Sequence, residues 1–335
     1  MNEARLQTSI KEALDGSTAS ALLSGAGMQA RNFTTALEAP ACGECPAFYR
    51  DTPLISEVEQ LCDPAVLPDG ATLLNLVLKY FHAYVHDGAH EQSVSYGEIA
   101  TLLAGFSRHQ SMNEPGDDPE IMNRMRNWSG ALRCLADIPR AAFIAGKVLG
   151  AGVKAGPEET CPHLAVDVGA ASGLLVLASY VQAHRNRFTR SVPCGFMVDP
   201  LAGERTADLL RSLDAGSIIP ADPSRPGAYA SIYGLKVHFV ANESMALLQG
   251  GIGRENCFAR YGALFRAAGK GLDEAVFLPE GVVAHCSGEN MSALLTPDNH
   301  FQPPAGYENA SFSPQGLLLD GEILPAHRLG KDLLG

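Results

Sequence analysis

Ala165-Val166-Asp167-Val168-Gly169-Ala170-Ala171-Ser172-Gly173, followed at once by Leu174-Leu175-Val176, is the most informative stretch of this chain. An apolar run ends in an acidic residue and then in a turn of residues with little or no side chain. A helix-forming run begins directly after it. The reading is a strand, a tight turn and a helix. Such a turn lets backbone approach a ligand closely and aims the first amides of the helix at it. In an open α/β sheet, ligands sit beyond the carboxyl ends of the strands. Asp167 at the strand end can accept from a ligand ammonium or a bound water.

Downstream, short runs rich in Val, Ile and Phe alternate with helical patterns. Strands are expected at His163–Val168, Pro193–Val198, Ser217–Pro220, Leu235–Val240 and Ala275–Leu278. Helices are expected over Gly173–His184, Glu204–Leu213 and Ser244–Gln249. A late hairpin is read at Gly316–Leu319 and Glu322–Leu324, around Asp320-Gly321. Strands alternating with helices give a Rossmann-like, mostly parallel sheet with helices on both faces. The second strand runs into Asp199, where a carboxylate can accept from both ribose hydroxyls. The third runs into Asp222, which can accept from an adenine amino group. Neither a Gly-x-Gly-x-x-Gly fingerprint nor a Gly-x-x-x-x-Gly-Lys-Ser/Thr phosphate loop occurs.

Upstream, the first half reads as helical, with no competing strand signal. Glu3–Leu14 and Ser17–Gln29 carry short helical patterns, and residues 30–53 read as loop. Leu73, Leu74, Val77, Leu78, Phe81 and Val85 mark one buried helical face. Ser95-Tyr96-Gly97-Glu98 has the form of a capping box. Asp118-Pro119 is a helix start, and Ile121, Met125, Trp128, Leu132 and Leu135 continue that helix. Residues 150–162 read as a connector. The division is therefore an all-helical domain over 1–150 and a sheet domain over 151–335.

At 335 residues the length suits about two domains of ~150 residues. Apolar residues at 46% and charged residues at 19% exclude a disordered chain. A net charge of −12 repels phosphate backbones, so no nucleic-acid partner is expected. The longest apolar stretch, Val168–Val181, is shorter than the ~20 residues of a membrane span and holds Gly169 and Gly173. Met1-Asn2-Glu3-Ala4-Arg5 lacks the basic start of a signal peptide, and the eight cysteines are scattered. A cytoplasmic location, with no membrane partner, is the expectation.

Val166-Asp167-Val168-Gly169-x-x-x-Gly173 resembles motif I of the class I S-adenosylmethionine-dependent methyltransferases. Asp199 and Asp222 fall where the next two motifs of that superfamily do. The resemblance covers about residues 160–290. The two-part plan is similar to small-molecule O-methyltransferases, which place a helical, often dimerising and winged-helix-like domain first. The resemblance implies S-adenosylmethionine as cofactor and a small-molecule acceptor. Asp167, Gly169, Ala171 and Gly173 would then hold the methionine part, Asp199 the ribose and Asp222 the adenine region. Two departures stand out. Ala171 replaces the usual middle glycine, and Val240-Ala241-Asn242-Glu243 lacks the His that many members use as base. Candidate bases are His285, Glu243 and Tyr233. The alternative is a non-catalytic binding or assembly protein on the same sheet.

Four other features carry less. Cys42-Gly43-Glu44-Cys45 lacks a second ligand pair, so no metal is expected. His82, His86 and His90, spaced by four, read as solvated surface histidines beside Lys79. Arg185, Arg187 and Arg190 suit a helix C-terminus. His238 reads as a packed strand residue.

Overall fold

The computed structural model describes residues 45–86, 89–112, 118–153, 162–242 and 262–278, with strands at 281–283 and 323–325. The first part is helical. Helix α1 spans Leu54–Cys62 and α2 spans Gly70–Val85, started by Asp69, whose carboxylate accepts from Thr72 N–H at 2.7 Å. Helix α3 (Tyr96–Met112) opens on the expected capping box. Glu98 accepts from Ser95 N–H at 2.9 Å, and Ser95 Oγ accepts from Glu98 N–H at 3.3 Å. Asp118 caps α4 (Pro119–Asn127) through the amides of Glu120 and Ile121. The helix expected to run on from there breaks at Trp128 (φ −106°, ψ 16°) and restarts as α5, Ser129–Ala136. Helix α6 (Ile138–Leu149), capped by Asp137, follows where the sequence reading placed no element. The two helices expected before residue 30 lie outside the described residues.

The second part is an α/β unit. Strands β1 (His163–Asp167), β2 (Ser191–Phe196), β3 (Ser217–Ile219), β4 (Phe239–Ala241) and β5 (Val276–Leu278) form one sheet in the order β3-β2-β1-β4-β5, every pair parallel. Helix α7 (Leu174–Arg185) joins β1 to β2, and α8 (Pro200–Ser212) joins β2 to β3. The order reverses beside β1: the chain steps outward to β3, then returns to place β4 on the other flank. The carboxyl ends of β1 and β4 therefore border a topological switch point, where open α/β sheets bind ligands. β4 starts later than expected, because Gly234 turns with φ 73° and Leu235 is half exposed. Two further strands, β6 (Gly281–Val283) and β7 (Ile323–Pro325), pair antiparallel. β7 overlaps the second arm of the expected hairpin, and its described partner is distant in sequence; residues 316–319 lie outside the described residues.

The sheet alternates as its pleat requires. Leu164, Val166, Cys194 and Phe196 pack with the 3-10 turn Pro226–Ile232 and the helix over 262–268. Ala165, Phe239 and Ala241 face the other way, into a core shared with α1–α8. One hydrophobic cluster thus runs from the N-terminal helices into the sheet.

That packing overturns one expectation. α2 is buried on every side, not along one stripe. Lys79 is 1% exposed, its ammonium held by the Glu57 carboxylate and the Thr52 hydroxyl. His82 and His90, read as solvated, are buried too. The reason is tertiary: α1, α3, α6 and α8 all pack against α2. Among the described residues no helix is long and apolar enough to cross a membrane.

Candidate functional site

Asp167 ends β1, 3% exposed, on the sheet face shared with Ala165. Its Oδ1 accepts from Gly169 N–H at 3.2 Å. Burial and the Asp167 charge push the neighbouring Cys194 thiol up to about 12, so that cysteine is inert. The turn is then strapped to both flanking strands. Val168 N–H donates to Ala241 O at 2.9 Å, and Ala170 N–H to Phe196 O at 3.1 Å. It closes with Gly173 N–H on Ala170 O at 2.6 Å. Ala171 (φ 42°) and Gly173 (φ 76°) take left-handed backbone to do so.

The carbonyls of this turn are already engaged. Thr206 on α8 donates to Ala171 O at 3.0 Å, and Tyr80 on α2 donates to Ser172 O at 2.7 Å. Tyr84 bonds Thr206 Oγ1 at 3.0 Å and fixes it. The amides of Ser172, Leu174 and Leu175 find no acceptor among the described residues. The N-terminus of α7 thus offers donors, with the Asp167 carboxylate beside them. A depression of about 310 Å³, counting its open mouth, lies here. Asp167, Gly169, Ala170, Ala171, Ser172, Leu174 and Leu175, with Cys134 of α5 and Ala141 and Ile144 of α6, are among its walls. Its enclosed part is no larger than one water. Sequence reasoning missed Tyr80, Thr206, Cys134, Ala141 and Ile144. They are ordinary helix residues, and only the tertiary fold brings them to the turn.

Asp199 and Asp222 follow the carboxyl ends of β2 and β3, as expected, but each has a local task. Asp199 caps α8: Oδ1 accepts from the amides of Leu201 (3.0 Å) and Ala202 (3.1 Å). The residue is exposed, and Oδ2 has no partner among the described residues. Val198 and Leu201, exposed apolar residues, flank it. Asp222 Oδ1 accepts from the Ser224 amide and hydroxyl, and Oδ2 lies 3.4 Å from Arg225.

Of the proposed bases only Tyr233 lies among the described residues. Tyr233 is 75% exposed and follows the 3-10 turn that carries the chain back toward the start of β4. Two residues on, Leu235 packs against Gly271, ahead of β5, so Tyr233 stands by the amino edge, away from the turn. Glu243 and His285 lie outside the described residues. So does Cys42; Cys45 is exposed. Among the described residues no three His, Cys, Asp or Glu side chains group to hold a metal. Arg185 binds the carbonyls of Leu61, Asp63 and Val66, so it ties α7 to the end of α1. Compared with protein-family models, curated proteins and solved structures, the chain has no match.

Proposed function

We propose that this protein binds S-adenosylmethionine at the carboxyl edge of its sheet and transfers the methyl group to a small-molecule acceptor. The observation that carries the reading is a coincidence of place. The Gly/Ala turn, the buried Asp167 and the depression all lie at the switch point of a parallel sheet. The chemistry of the turn supports an amino-acid head in particular. Free amides at a helix N-terminus suit a carboxylate, and Asp167 suits an ammonium. A pyrophosphate brought to the same place would meet the Asp167 charge. Asp199, one strand over, keeps an exposed oxygen that can accept from ribose hydroxyls.

When bound, the sulfonium supplies a methyl group that is already electrophilic. The protein's share is to orient the acceptor in line and to exclude water, a positioning effect of several kcal/mol. Cys134, Ala141 and Ile144 form the wall opposite the turn and would bound the space left for the ligand. No side chain of this wall is a base, which suits an acceptor that arrives with a free lone pair.

Titration calorimetry with S-adenosylmethionine, S-adenosylhomocysteine and NAD tests the reading. The first two should bind and NAD should not; a preference for NAD, or no binding by either adenosyl ligand, rejects it. Three variants separate the ribose role of Asp199 from its cap. Asp199→Asn keeps the cap through its single oxygen and presents an NH2 of similar reach, which can only donate to a ribose hydroxyl, so affinity should fall least. Asp199→Ser keeps the cap but is too short for a ribose, so affinity should fall about 5- to 100-fold at unchanged stability. Asp199→Ala should lose both. The non-catalytic alternative draws on the small enclosed volume and on the local tasks of all three Asp residues. Tight binding with no methyl transfer across a panel of acceptors would favour it.

A further inference from the structure

At the other edge of the sheet, His163 opens β1 fully buried. Its Nε2 lies 3.2 Å from Gln182 Oε1 on α7. The Gln182 amide nitrogen donates to Val148 O, in the last turn of α6, at 2.5 Å. A backbone carbonyl only accepts, so the nitrogen must face Val148 and the oxygen must face His163. Nε2 therefore carries the proton and Nδ1 the lone pair. That Nδ1 is sealed from solvent without a hydrogen-bond partner. Ser191 is the register partner of His163 on β2, and its buried Oγ has no partner either. Phe188 packs edge-on at 4.8 Å and His238 stacks at 5.6 Å.

We propose that His163, Gln182 and Val148 form an acid-released latch: a proton reaches His163 Nδ1 only when the C-terminal end of α6 lifts from α7, so acidification frees α6. A proton placed on Nδ1 in the closed structure would make a buried N–H without an acceptor and a buried charge beside a second imidazole. Of the groups around it, only the Gln182 oxygen and the backbone of His163 itself favour the charged form, and burial outweighs both. The segment entering β4 presents His238, whose Nδ1 already accepts from Leu164 N–H at 3.2 Å. α7 presents the neutral Gln182, α6 a carbonyl and β2 the neutral Ser191. The turn before β2 presents the carbonyl of Arg190, which accepts from His163 N–H at 2.9 Å; the side chains of Arg187 and Arg190 are exposed. Burial first, and then His238, hold the His163 imidazole down at about 4, against 6.5 when free. One turn before Val148, α6 carries Ile144, which faces the Gly/Ala turn. The latch thereby ties the wall of that depression to solution pH, whatever ligand occupies it.

The sign follows from the lowered value. The open form binds the proton more tightly, so opening is favoured as pH falls through 6.5 toward 4. Hydrogen exchange over 138–149, corrected for its intrinsic pH dependence, should report opening on the order of 30-fold more frequent at pH 5 than at pH 7.5. His163→Gln keeps a donor toward Gln182 but takes no proton, and should abolish that response. A response that survives in the variant belongs to another group, such as His82, and overturns the latch. Exchange at the imidazole C2 position of His163 in the wild-type chain gives a second reading that needs no variant. A value well below 6 supports the latch, and an ordinary value overturns it.

Discussion

Gly173 has no room for a methyl group. A Cβ there would lie 2.5 Å from Thr206 Cγ2 and 3.1 Å from Leu210 Cδ1, on backbone with φ +76°. Left-handed strain and overpacking together should make Gly173→Ala cost about 2–4 kcal/mol. Ala171 has the opposite problem, since it already bears a Cβ at φ 42°. Ala171→Gly should gain about 0.5–1 kcal/mol as strain relief outweighs unfolded-state entropy. Urea midpoints at constant m-value check both. A Gly173→Ala protein of unchanged stability would show that packing is not why the glycine is there. Reading the same residues in sequence had a built-in blind spot. Asp118-Pro119 and Asp199-Pro200 share one local pattern, and both Asp residues cap the helix that follows. Only the first is recognisable as a cap from its surroundings. The second also sits where a sheet ligand would, and one carboxylate can serve backbone amides through one oxygen while the other stays exposed.

At the level of elements, α2 shows how tertiary contacts override a periodic pattern. Its apolar stripe is real, but Lys79, Asn75 and His82 on the remaining faces are buried as well. Asn75 and Lys79 are each accommodated individually, whereas the buried His82 Nδ1 has no hydrogen-bond partner among the described residues. Asn75 donates to Phe48 O and Ala71 O, both at 2.7 Å. Lys79 is joined to Glu57 of α1, itself 1% exposed and bonded to Thr52 at 2.5 Å and to Arg50 at 2.6 Å. Burial alone would raise the Glu57 carboxyl, yet the Lys79, Thr52 and Arg50 hydrogen bonds bring it below the ordinary carboxylate value. Neutralising Glu57 strands the Lys79 ammonium inside, and removing Lys79 leaves the buried Glu57 carboxylate with only the part-exposed Arg50. Lys79→Met or Glu57→Gln alone should cost about 3–5 kcal/mol. The pair Glu57→Gln with Lys79→Met should cost clearly less than the sum, because no charge is then left uncompensated between the helices. Additive losses in a double-mutant cycle would contradict that account. Nothing in the spacing around Lys79 announces its burial, since the partner lies 22 positions away. Helix α6 was hidden for a related reason. Half of its buried side is alanine, and Gly146 lies against Leu73 of α2, so close packing replaces the apolar contrast that marks other helices.

For the molecule as a whole, the parallel sheet was legible in the alternation of strands and helices, whereas the way the helical part joins it was not. That junction consists of groups that complete one another. Arg205 of α8 donates to the carbonyls of Ala83 and Tyr84 at the end of α2. Arg185 of α7 serves the carbonyls that follow α1, and Tyr80 of α2 holds Ser172 in the turn. Gln182 reaches Val148 of α6. Each part thus closes hydrogen bonds that the other would leave open, over a single apolar cluster. Separation would expose that cluster and strand several backbone carbonyls at once, each at about 1–3 kcal/mol if it stayed buried. The expected behaviour is one cooperative transition for the helices of 45–150 and the sheet. Trp128, the sole tryptophan, lies between α4 and α5 with the Arg205 guanidinium 5.8 Å from its ring. Its fluorescence reports the helical part, while far-UV circular dichroism reports the whole chain. The two denaturation curves should coincide, and Arg205→Ala should shift both together. A tryptophan transition that precedes the dichroism change, with the sheet persisting after it, would show two independent units and would remove the structural basis for a helical wall rigidly facing the turn.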